Sequence, residues 1–292
     1  MKTTSHSEYG KLKSVLVKRA TEAFVNETQI FSQWKKLNFL SKPDFAKATR
    51  EYSAFEKMLS KHGATLSYLP QSDAVTMDSI YCRDAAIITD HGAILCNMGK
   101  ADRVAEPAQE RLAFESSGIK ILGEIKSPGT LEGGDVAWVD AHTLAVGHTY
   151  RTNEAGIKQL SDMLRPFGVD VWVAFMPHYK GPSDVFHLMS VFSPVDKNLA
   201  VVYSPLMPIA FRNGLLDRGY SLVEVPTEEW DSMGCNVLAI APRECIMVKG
   251  NRITKTRLQA AGCTVSEYMG EEISVKGGGG PTCLTRPLER VI

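Results

Sequence analysis

Apolar and polar positions along the chain repeat one pattern. Two short apolar strands joined by a tight turn are followed by an amphipathic helix, a glycine and a third apolar strand. The clearest copy occupies residues 135–177 and reads DVAWVDAHTLAVG, EAGIKQLSDMLRPFG and VDVWVAFMP. Three more copies begin with AAIITDHGAILCNMG, LMSVFSPVDKNLAVVYS and NVLAIAPRECIMVKGN. The pattern predicts ββαβ units in series.

A looser copy stands at the N-terminal end, with SVLVKR, the helix PDFAKATREYSAFEKMLSKHG and the strand ATLSYLP. In all five copies a glycine follows the predicted helix, where a left-handed residue ends it: Gly63, Gly118, Gly168, Gly219 and Gly262. Glycine before a strand occurs in any α/β protein, so a chance match remains open. We favour the repeat because a hairpin precedes each helix, whereas a doubly wound sheet alternates single strands with helices. Five units that cannot bury their own faces predict a ring around a central site, with functional residues on loops and strand ends.

Composition describes an ordinary globular protein of 292 residues, with 33 basic and 33 acidic side chains. The balance of charge gives no reason to expect nucleic acid or an anionic membrane as a partner. The N-terminus resembles no signal peptide and no apolar run is long enough for a membrane span, so we expect a cytosolic protein. Six cysteines lack the spacings of zinc or redox motifs, and we interpret most of them as buried thiols: Cys82, Cys96, Cys235, Cys245, Cys263 and Cys283.

Two single residues are candidates for covalent chemistry. Cys283 follows the glycine run GGGGPT, whose backbone N–H groups could surround an anion; the alternative is a packing cysteine in a loose tail. His187 is the one polar ring in the apolar stretch VFHLMSVF, and it is either a catalyst or a satisfied core histidine.

Two stretches supply carboxylates. Glu132 and Asp135 flank two glycines in TLEGGDV, as turn formers or as ligands of a cation. Asp78, Arg83 and Asp84 run into an apolar strand in MDSIYCRDAAII, where Arg83 could simply form an ion pair at the strand edge. One cysteine, one histidine and several carboxylates on separate units suit covalent catalysis on a cationic carbon. Because no zinc, P-loop or dinucleotide motif is present, we expect neither a metal nor another cofactor.

The motifs YCRD, LEGGDV, GHTYRTNEAG, HLMSVF, GCNVLAI and GGGGPTCLT occur in an order that resembles the guanidino-modifying enzymes. That family includes arginine deiminases, dimethylarginine dimethylaminohydrolases and amidinotransferases. The resemblance covers nearly the whole chain and implies one catalytic domain over residues 1–292. The implied fold is a five-bladed α/β propeller of ββαβ modules with pseudo-fivefold symmetry.

The resemblance also implies roles for individual residues. Cys283 would attack the guanidinium carbon and form a thiouronium intermediate, and His187 would protonate the departing amine and then activate water. Glu132 and Asp84 would bind guanidinium nitrogens.

The outer part of the substrate would meet further residues. Arg103 and Arg151 match the family's clamp for an α-carboxylate, and Asp78 would lie near the α-amino end. Gly277 would offer a backbone carbonyl, and Arg83 lies beside Asp84 as a further substrate-binding candidate. Relatives have a mobile lid at the position of residues 21–29.

Departures from the family pattern bear on the substrate, a small guanidino compound. Deiminases and amidinotransferases carry an aspartate two residues after the histidine, and here that residue is Met189. An apolar side chain suits an N-alkylated guanidine, and the short chain also favours the dimethylarginine hydrolases. Arg83 and the ending GGGGPTC point toward the deiminases.

The sequence therefore predicts hydrolysis of Nω-methylated arginine to citrulline and a methylamine. Arginine deimination, amidino transfer and an inactive propeller that binds arginine-like ligands are the alternatives, and a homodimer stays open.

Overall fold

A computed structural model describes residues 3–292. This part of the chain forms sixteen strands: β1 (Thr3–Thr4), β2 (Lys11–Val17), β3 (Thr65–Tyr68), β4 (Ala86–Thr89), β5 (Gly92–Leu95), β6 (Ile121–Glu124), β7 (Val136–Asp140), β8 (Thr143–His148), β9 (Asp170–Phe175), β10 (Phe192–Asp196), β11 (Leu199–Val202), β12 (Ser221–Glu224), β13 (Leu238–Ala241), β14 (Glu244–Val248), β15 (Thr264–Tyr268) and β16 (Arg286–Val291). The same residues form eight α-helices: α1 (Ala20–Ala23), α2 (Glu27–Gln33), α3 (Phe45–Lys61), α4 (Glu106–Ser116), α5 (Glu154–Leu164), α6 (Leu188–Val191), α7 (Ile209–Asp217) and α8 (Arg252–Ala260).

The strands form five small sheets of one design. In β7-β8-β9, the first two strands are antiparallel, with Val136 opposite Val146, and the third is parallel to the second, with Val146 opposite Val173. Helix α5 connects the parallel pair, as such a crossover requires. The sheets β4-β5-β6, β10-β11-β12 and β13-β14-β15 repeat this arrangement with α4, α7 and α8 as their crossovers. The predicted ββαβ units are therefore confirmed as small mixed sheets.

The first sheet combines three strands from the N-terminal part of the chain with the last strand, β16. Its order is β1-β16-β2-β3, and β16 pairs antiparallel with β2, so that Arg286 lies opposite Leu16. Strand β2 then pairs parallel with β3 after the crossover helix α3. The looseness of the N-terminal copy follows from this topology, because its first strand is supplied by the last residues of the sequence.

Hydrogen bonds join each sheet to the next and the fifth sheet back to the first. They are Thr4 Oγ1 to Asp90 Oδ2 (2.9 Å), Trp138 Nε1 to the Ile88 carbonyl (3.4 Å), the Tyr220 hydroxyl to the Val139 carbonyl (2.9 Å), Arg243 N to the Val195 carbonyl (2.9 Å) and Arg290 Nη1 to the Ala239 carbonyl (2.9 Å). The neighbouring sheets thus share polar contacts as well as the apolar faces between them.

Helix α3 shows how the sequence sets these elements. Asp44 caps its N-terminus by accepting a hydrogen bond from Lys47 N at 2.8 Å. One face carries apolar residues at helical spacing and is buried against the sheets: Ala48, Tyr52, Phe55 and Leu59.

Residues 21–29 do not form the predicted loop. Helices α1 and α2 occupy this part of the chain, and Phe24 and Ile30 are buried in the same apolar cluster as Phe55. The expected loop is therefore corrected to two helices anchored by Phe24, and a mobile lid at this position stays a prediction. Among residues 3–292, no helix combines the length and apolarity that crossing a membrane requires.

All five glycines that follow the crossover helices adopt left-handed backbone conformations. Their φ angles are 86° at Gly63, 72° at Gly118, 70° at Gly168, 79° at Gly219 and 83° at Gly262. L-residues with a Cβ rarely adopt this conformation, so the prediction made from the repeat is confirmed.

A substitution at Gly219 tests the cost of the left-handed backbone alone, because a Cβ at this position would meet no other atom within 4 Å. We expect Gly219→Ala to lower the free energy of unfolding by roughly 1–2 kcal/mol, measured by urea denaturation. Gly219→Asn is the matched control and should lose less, because asparagine tolerates left-handed backbone better. Equal losses in the two variants would contradict the explanation.

Candidate active site

Eight of the ten predicted site residues line one cavity of about 380 Å³. They are Asp78, Asp84, Arg103, Arg151, His187, Met189, Gly277 and Cys283. Glu132 is fully buried and contacts the site through His187, and Arg83 lies elsewhere. The cavity wall also includes the aromatic rings of Tyr81, Tyr179, Phe186 and Trp230.

The five sheets contribute equivalent positions to this site. Asp84, Glu132, His187, Asn236 and Cys283 each lie shortly before the first strand of one sheet, namely β4, β7, β10, β13 and β16. Residues that are far apart in sequence therefore meet because each strand begins at the same end of its unit. This placement agrees with the expectation that strand ends carry the functional residues.

Cys283 lies beside the amide of Asn236. Asn236 Nδ2 donates to Cys283 Sγ at 3.3 Å, and Asn236 Oδ1 accepts from Thr282 N at 3.0 Å, which fixes the amide. Burial raises the pKa of the Cys283 thiol above its ordinary value of 9.0, and the charge of Asp84 adds to this effect. Hydrogen bonds from Thr282 and Asn236 oppose the rise in pKa without cancelling it.

The glycine run before Cys283 is packed and not frayed. A Cβ at Gly279 would come within 2.5 Å of the Tyr81 ring and 3.1 Å of Cys283 Cβ, and one at Gly280 would come within 2.5 Å of Asn236 Cγ. Gly278 has φ of 75°, in the left-handed region. The missing side chains therefore let the backbone pass close to the residues that surround the thiol.

Each ring nitrogen of His187 faces a carboxylate. Its Nε2 lies 2.8 Å from Glu132 Oε2, and its Nδ1 lies 4.0 Å from Asp84 Oδ1 on the cavity side. Burial lowers the pKa of this imidazole, but the charges of Asp135, Asp84 and Glu132 outweigh burial and raise the pKa to about 9. The ring is therefore an imidazolium at neutral pH, held by Glu132.

Glu132 is an anchor for three groups. It accepts hydrogen bonds from His187, from Arg151 Nη1 at 3.3 Å and from Lys100 N at 3.0 Å. Burial alone would raise its pKa, yet the hydrogen bond to His187 and the charges of His187 and Arg151 hold it well below the ordinary value. It is a carboxylate whose contacts are all with the protein.

Asp84 has one occupied and one open oxygen. Its Oδ2 accepts from Arg103 Nη1 at 2.5 Å, whereas its Oδ1 is buried without a hydrogen-bond partner among residues 3–292. A buried carboxylate oxygen with no donor is costly. This oxygen lies 4.0 Å from His187 Nδ1, and both residues line the cavity.

Asp78 is paired with a lysine that the sequence analysis did not identify. Lys100 Nζ donates to Asp78 Oδ2 at 2.6 Å and to the Leu37 carbonyl at 3.0 Å. Leu37 and Leu40 line the cavity from the segment after α2. Lys100 thereby links this segment to the site.

Arg83 does not reach the cavity. Its side chain is buried, and Nη2 donates to Glu8 Oε1 at 2.7 Å. Its role as a substrate-binding residue is therefore corrected, and the ion-pair interpretation agrees with the structure. Arg83 and Asp84 lie in the turn before β4, and their side chains take different partners, Glu8 for Arg83 and Arg103 for Asp84.

Two further residues complete the site. Asn236 lies in the motif GCNVLAI, and only its position before an apolar strand could have indicated it. Asp135 is fully buried and accepts from Leu188 N at 3.0 Å and from Thr149 Oγ1 at 2.7 Å. It thereby fixes the start of α6 directly after His187.

Asp84, Glu132 and His187 could also hold a metal ion, since they offer ligand atoms within 4.8 Å of one another. Arg103 and Arg151 already pair with the two carboxylates. The charges of the two carboxylates are therefore already balanced by arginine side chains of the protein. The unpaired Oδ1 of Asp84 could accept a hydrogen bond from a further guanidinium.

A model of the family described as N,N dimethylarginine dimethylhydrolase, eukaryotic, matches residues 21–290. The chain belongs to this family. It is thus a hydrolase of the class that acts on C–N bonds of amidines, and the expected family resemblance is confirmed.

Relatives and solved structures agree with the family. The chain is 26% identical over 246 residues to N(G),N(G)-dimethylarginine dimethylaminohydrolase of Pseudomonas aeruginosa, covering 84% of this chain and 90% of the relative. A solved structure of the Pseudomonas aeruginosa enzyme, a cysteine-to-serine mutant complexed with citrulline, has a TM-score of 0.76 at 22% identity, covering 96% of this chain and 99% of that one. The amidinotransferase SxtG from Microseira wollei has a TM-score of 0.81 at 16% identity, covering 99% and 97%. These two structures show a shared fold.

The environment of the thiol in this dimethylarginine dimethylhydrolase family member predicts a pH dependence. The thiolate is the nucleophile, and the pKa of Cys283 lies above 9.0 in the free protein. Alkylation by iodoacetamide should therefore be slow at pH 7 and keep rising beyond pH 9, by about tenfold per pH unit below the pKa. Mass spectrometry of the modified peptide measures the rate, with Cys283→Ser as the blank. A plateau below pH 8 would contradict the raised pKa.

Proposed function

We propose that the chain hydrolyses the guanidino group of Nω-methylated arginine to citrulline and methylamine or dimethylamine. The observation that carries the proposal is the meeting of a thiol, an imidazolium and an unpartnered carboxylate oxygen in one cavity, from Cys283, His187 and Asp84. Membership of the dimethylarginine dimethylhydrolase family supports the substrate.

The five sheets are proposed to stand as blades of one α/β propeller with pseudo-fivefold symmetry, in a single domain over residues 1–292. Support comes from the hydrogen bonds that connect each sheet to the next and the fifth sheet to the first. The equivalent placement of the five site residues before the first strands supports a common axis at the cavity.

Binding comes first, and Asp84 would hold the substrate's guanidinium. Its open Oδ1 would accept a charge-assisted hydrogen bond from an unmethylated guanidinium nitrogen. Glu132 is now assigned a different role from the one expected, because its oxygens already serve His187, Arg151 and Lys100. We propose that it holds His187 as an imidazolium with Nδ1 turned to the cavity.

The first chemical step would form a bond between Cys283 Sγ and the guanidinium carbon. A guanidinium cation beside the thiol favours the thiolate, since opposite charge stabilises the charged form, and the thiol proton leaves to solvent. His187 would then give its proton to the methylated nitrogen as the C–N bond breaks, which releases the amine and leaves a thiouronium cation on the enzyme.

Water would resolve the intermediate. The neutral His187 accepts a proton from the attacking water, the new C–O bond forms, and the C–S bond breaks with return of the electron pair to sulfur. Citrulline leaves, His187 is again an imidazolium, and the remaining proton goes to solvent.

The outer part of the cavity would bind the amino-acid end. Among the described residues, the Arg151 guanidinium donates only through Nη1, to Glu132, so its remaining N–H groups are proposed to bind the α-carboxylate. Arg103 already donates to Asp84, Glu106 and the Tyr81 carbonyl. We therefore propose that Arg103 holds Asp84 and does not bind the α-carboxylate of the substrate. Asp78, with Lys100 beside it, would lie near the α-amino group, and Gly277 at the cavity wall could offer its carbonyl.

The function can be tested by incubating the purified protein with asymmetric dimethylarginine, monomethylarginine and arginine and measuring the ureido product. We expect citrulline from the methylated substrates and none from the Cys283→Ser variant, because the thiol is the nucleophile. Absence of citrulline with all three substrates would remove the proposal. Turnover of arginine alone would move it to deimination.

Met189 gives a second test, on specificity. Its side chain is buried at the cavity wall, where the deiminase branch carries aspartate. Met189→Asp should lower the ratio of kcat/KM for dimethylarginine over arginine by about tenfold or more, because a carboxylate can pair with an N–H group but not with an N-methyl group. Met189→Asn is the matched control without charge and should change the ratio less. A ratio that is the same in all three proteins would refute the role of Met189.

A further inference from the structure

The guanidinium of Arg103 is clamped by a carboxylate that is not part of the cavity wall. Glu106, the first residue of α4, accepts from Arg103 Nε at 2.9 Å and from Nη2 at 2.7 Å. The Tyr81 carbonyl accepts from Nη2 at 2.8 Å. Arg103 and Glu106 are both buried, so this two-point contact sets the plane of the guanidinium without competition from water.

The clamp determines how Arg103 meets Asp84. With Nε and Nη2 taken by Glu106, only Nη1 is directed at Asp84, and it binds Oδ2 at 2.5 Å. Asp84 Oδ1 stays without a partner among the described residues, 4.0 Å from His187 Nδ1. An arginine free to rotate would instead bind both oxygens of a carboxylate, which is its preferred geometry.

We propose that Glu106 is a positioning residue that prevents Arg103 from closing on Asp84, so that Asp84 Oδ1 stays open for a cationic amidine or guanidine. The inference rests on the proposed function of the same site. It adds a residue that touches no substrate and acts through Arg103.

The charges in this cluster support the assignment. Asp84 and Glu106 supply two carboxylates and Arg103 supplies one cation, so above pH 7, where Glu106 ionises because burial raises its pKa to about 7, these three side chains carry one negative charge in excess, with His187 4.0 Å from Asp84. A substrate guanidinium would neutralise this excess. Without Glu106 the remaining pair, Arg103 and Asp84, is neutral and self-satisfied, and a cationic ligand gains less by entering.

The test compares two alkylating probes on Glu106→Gln. Chloroacetamidine is a cationic amidine and iodoacetamide is neutral; in both, the Cys283 thiolate forms an S–C bond as the carbon–halogen bond breaks. We expect the ratio of the two alkylation rates, cationic over neutral, to fall about tenfold or more in the variant, the scale of one charge-assisted hydrogen bond. With dimethylarginine, KM should rise more than kcat falls.

Glu110→Gln is the matched control. Glu110 lies one turn further along α4, is buried, and both its carboxylate oxygens lack partners within residues 3–292. It makes no hydrogen bond to Arg103, so its variant should keep the wild-type ratio. An equal fall in both variants would overturn the inference, because it would show a general effect of α4.

A double-variant cycle tests whether Glu106 acts through Arg103. Arg103→Met removes the group through which Glu106 acts, so adding Glu106→Gln to Arg103→Met should leave the ratio unchanged. A further fall in the double variant would overturn the inference, as would an unchanged ratio in a folded Glu106→Gln. If the wild-type protein shows no preference for chloroacetamidine, or is not alkylated at Cys283, the proposed function itself fails.

Discussion

Pairing buried carboxylates with cations is the constraint on which this site depends. Asp78, Asp84, Glu106, Glu132 and Asp135 are all buried around one cavity. An unpaired buried charge is expensive, whereas a paired and hydrogen-bonded one is tolerated. The chain satisfies Glu132 with His187 and Arg151, and Asp78 with Lys100. Asp84 differs from these two, because its buried Oδ1 accepts no hydrogen bond within residues 3–292.

The fold makes this arrangement possible because it brings equivalent chain positions together. Each sheet is small and packs apolar side chains against its neighbours in shared clusters, as units do when they cannot bury their own faces. The strand β16 completes the first sheet, and Cys283 lies in the turn shortly before it. The pairing of β16 with β2 therefore completes the first sheet and also positions Cys283 at the cavity. The packed glycines before Cys283 contribute to this positioning.

Much of this could be predicted from the sequence, because apolar periodicity and glycine placement are local signals. The hairpins, the crossover helices and the left-handed residues such as Gly219 follow from them. Residues 21–29 were mispredicted as a loop because a position inferred from relatives says nothing about burial, and Phe24 proved to be a core residue. Arg83 was misplaced because sequence alone does not show to which face a side chain points beside a strand start.

The partners of the site residues were beyond sequence reasoning for a different reason. Asn236 lies in GCNVLAI, but nothing in that motif indicates its contact to Cys283, which joins two different units. Lys100 has no sequence signal for its pairing with Asp78. Glu106 follows Arg103 at an (i, i+3) spacing, but that spacing does not show that Arg103 also meets Asp84. Contacts between units depend on side-chain directions in three dimensions. These contacts are identified only from interatomic distances and unpaired polar atoms in the structure.

The raised pKa of Cys283 is consistent with the proposed chemistry. Burial and the charge of Asp84 both disfavour the thiolate in the free protein. A guanidinium bound at Asp84 Oδ1 would neutralise that charge and place a cation beside the sulfur, so the same event that delivers the carbon also lowers the pKa of its nucleophile. His187 is already protonated at neutral pH, with a pKa of about 9. The thiol would thus stay unreactive until a cationic substrate arrives, which protects it from neutral electrophiles while leaving the acid for the departing amine in place.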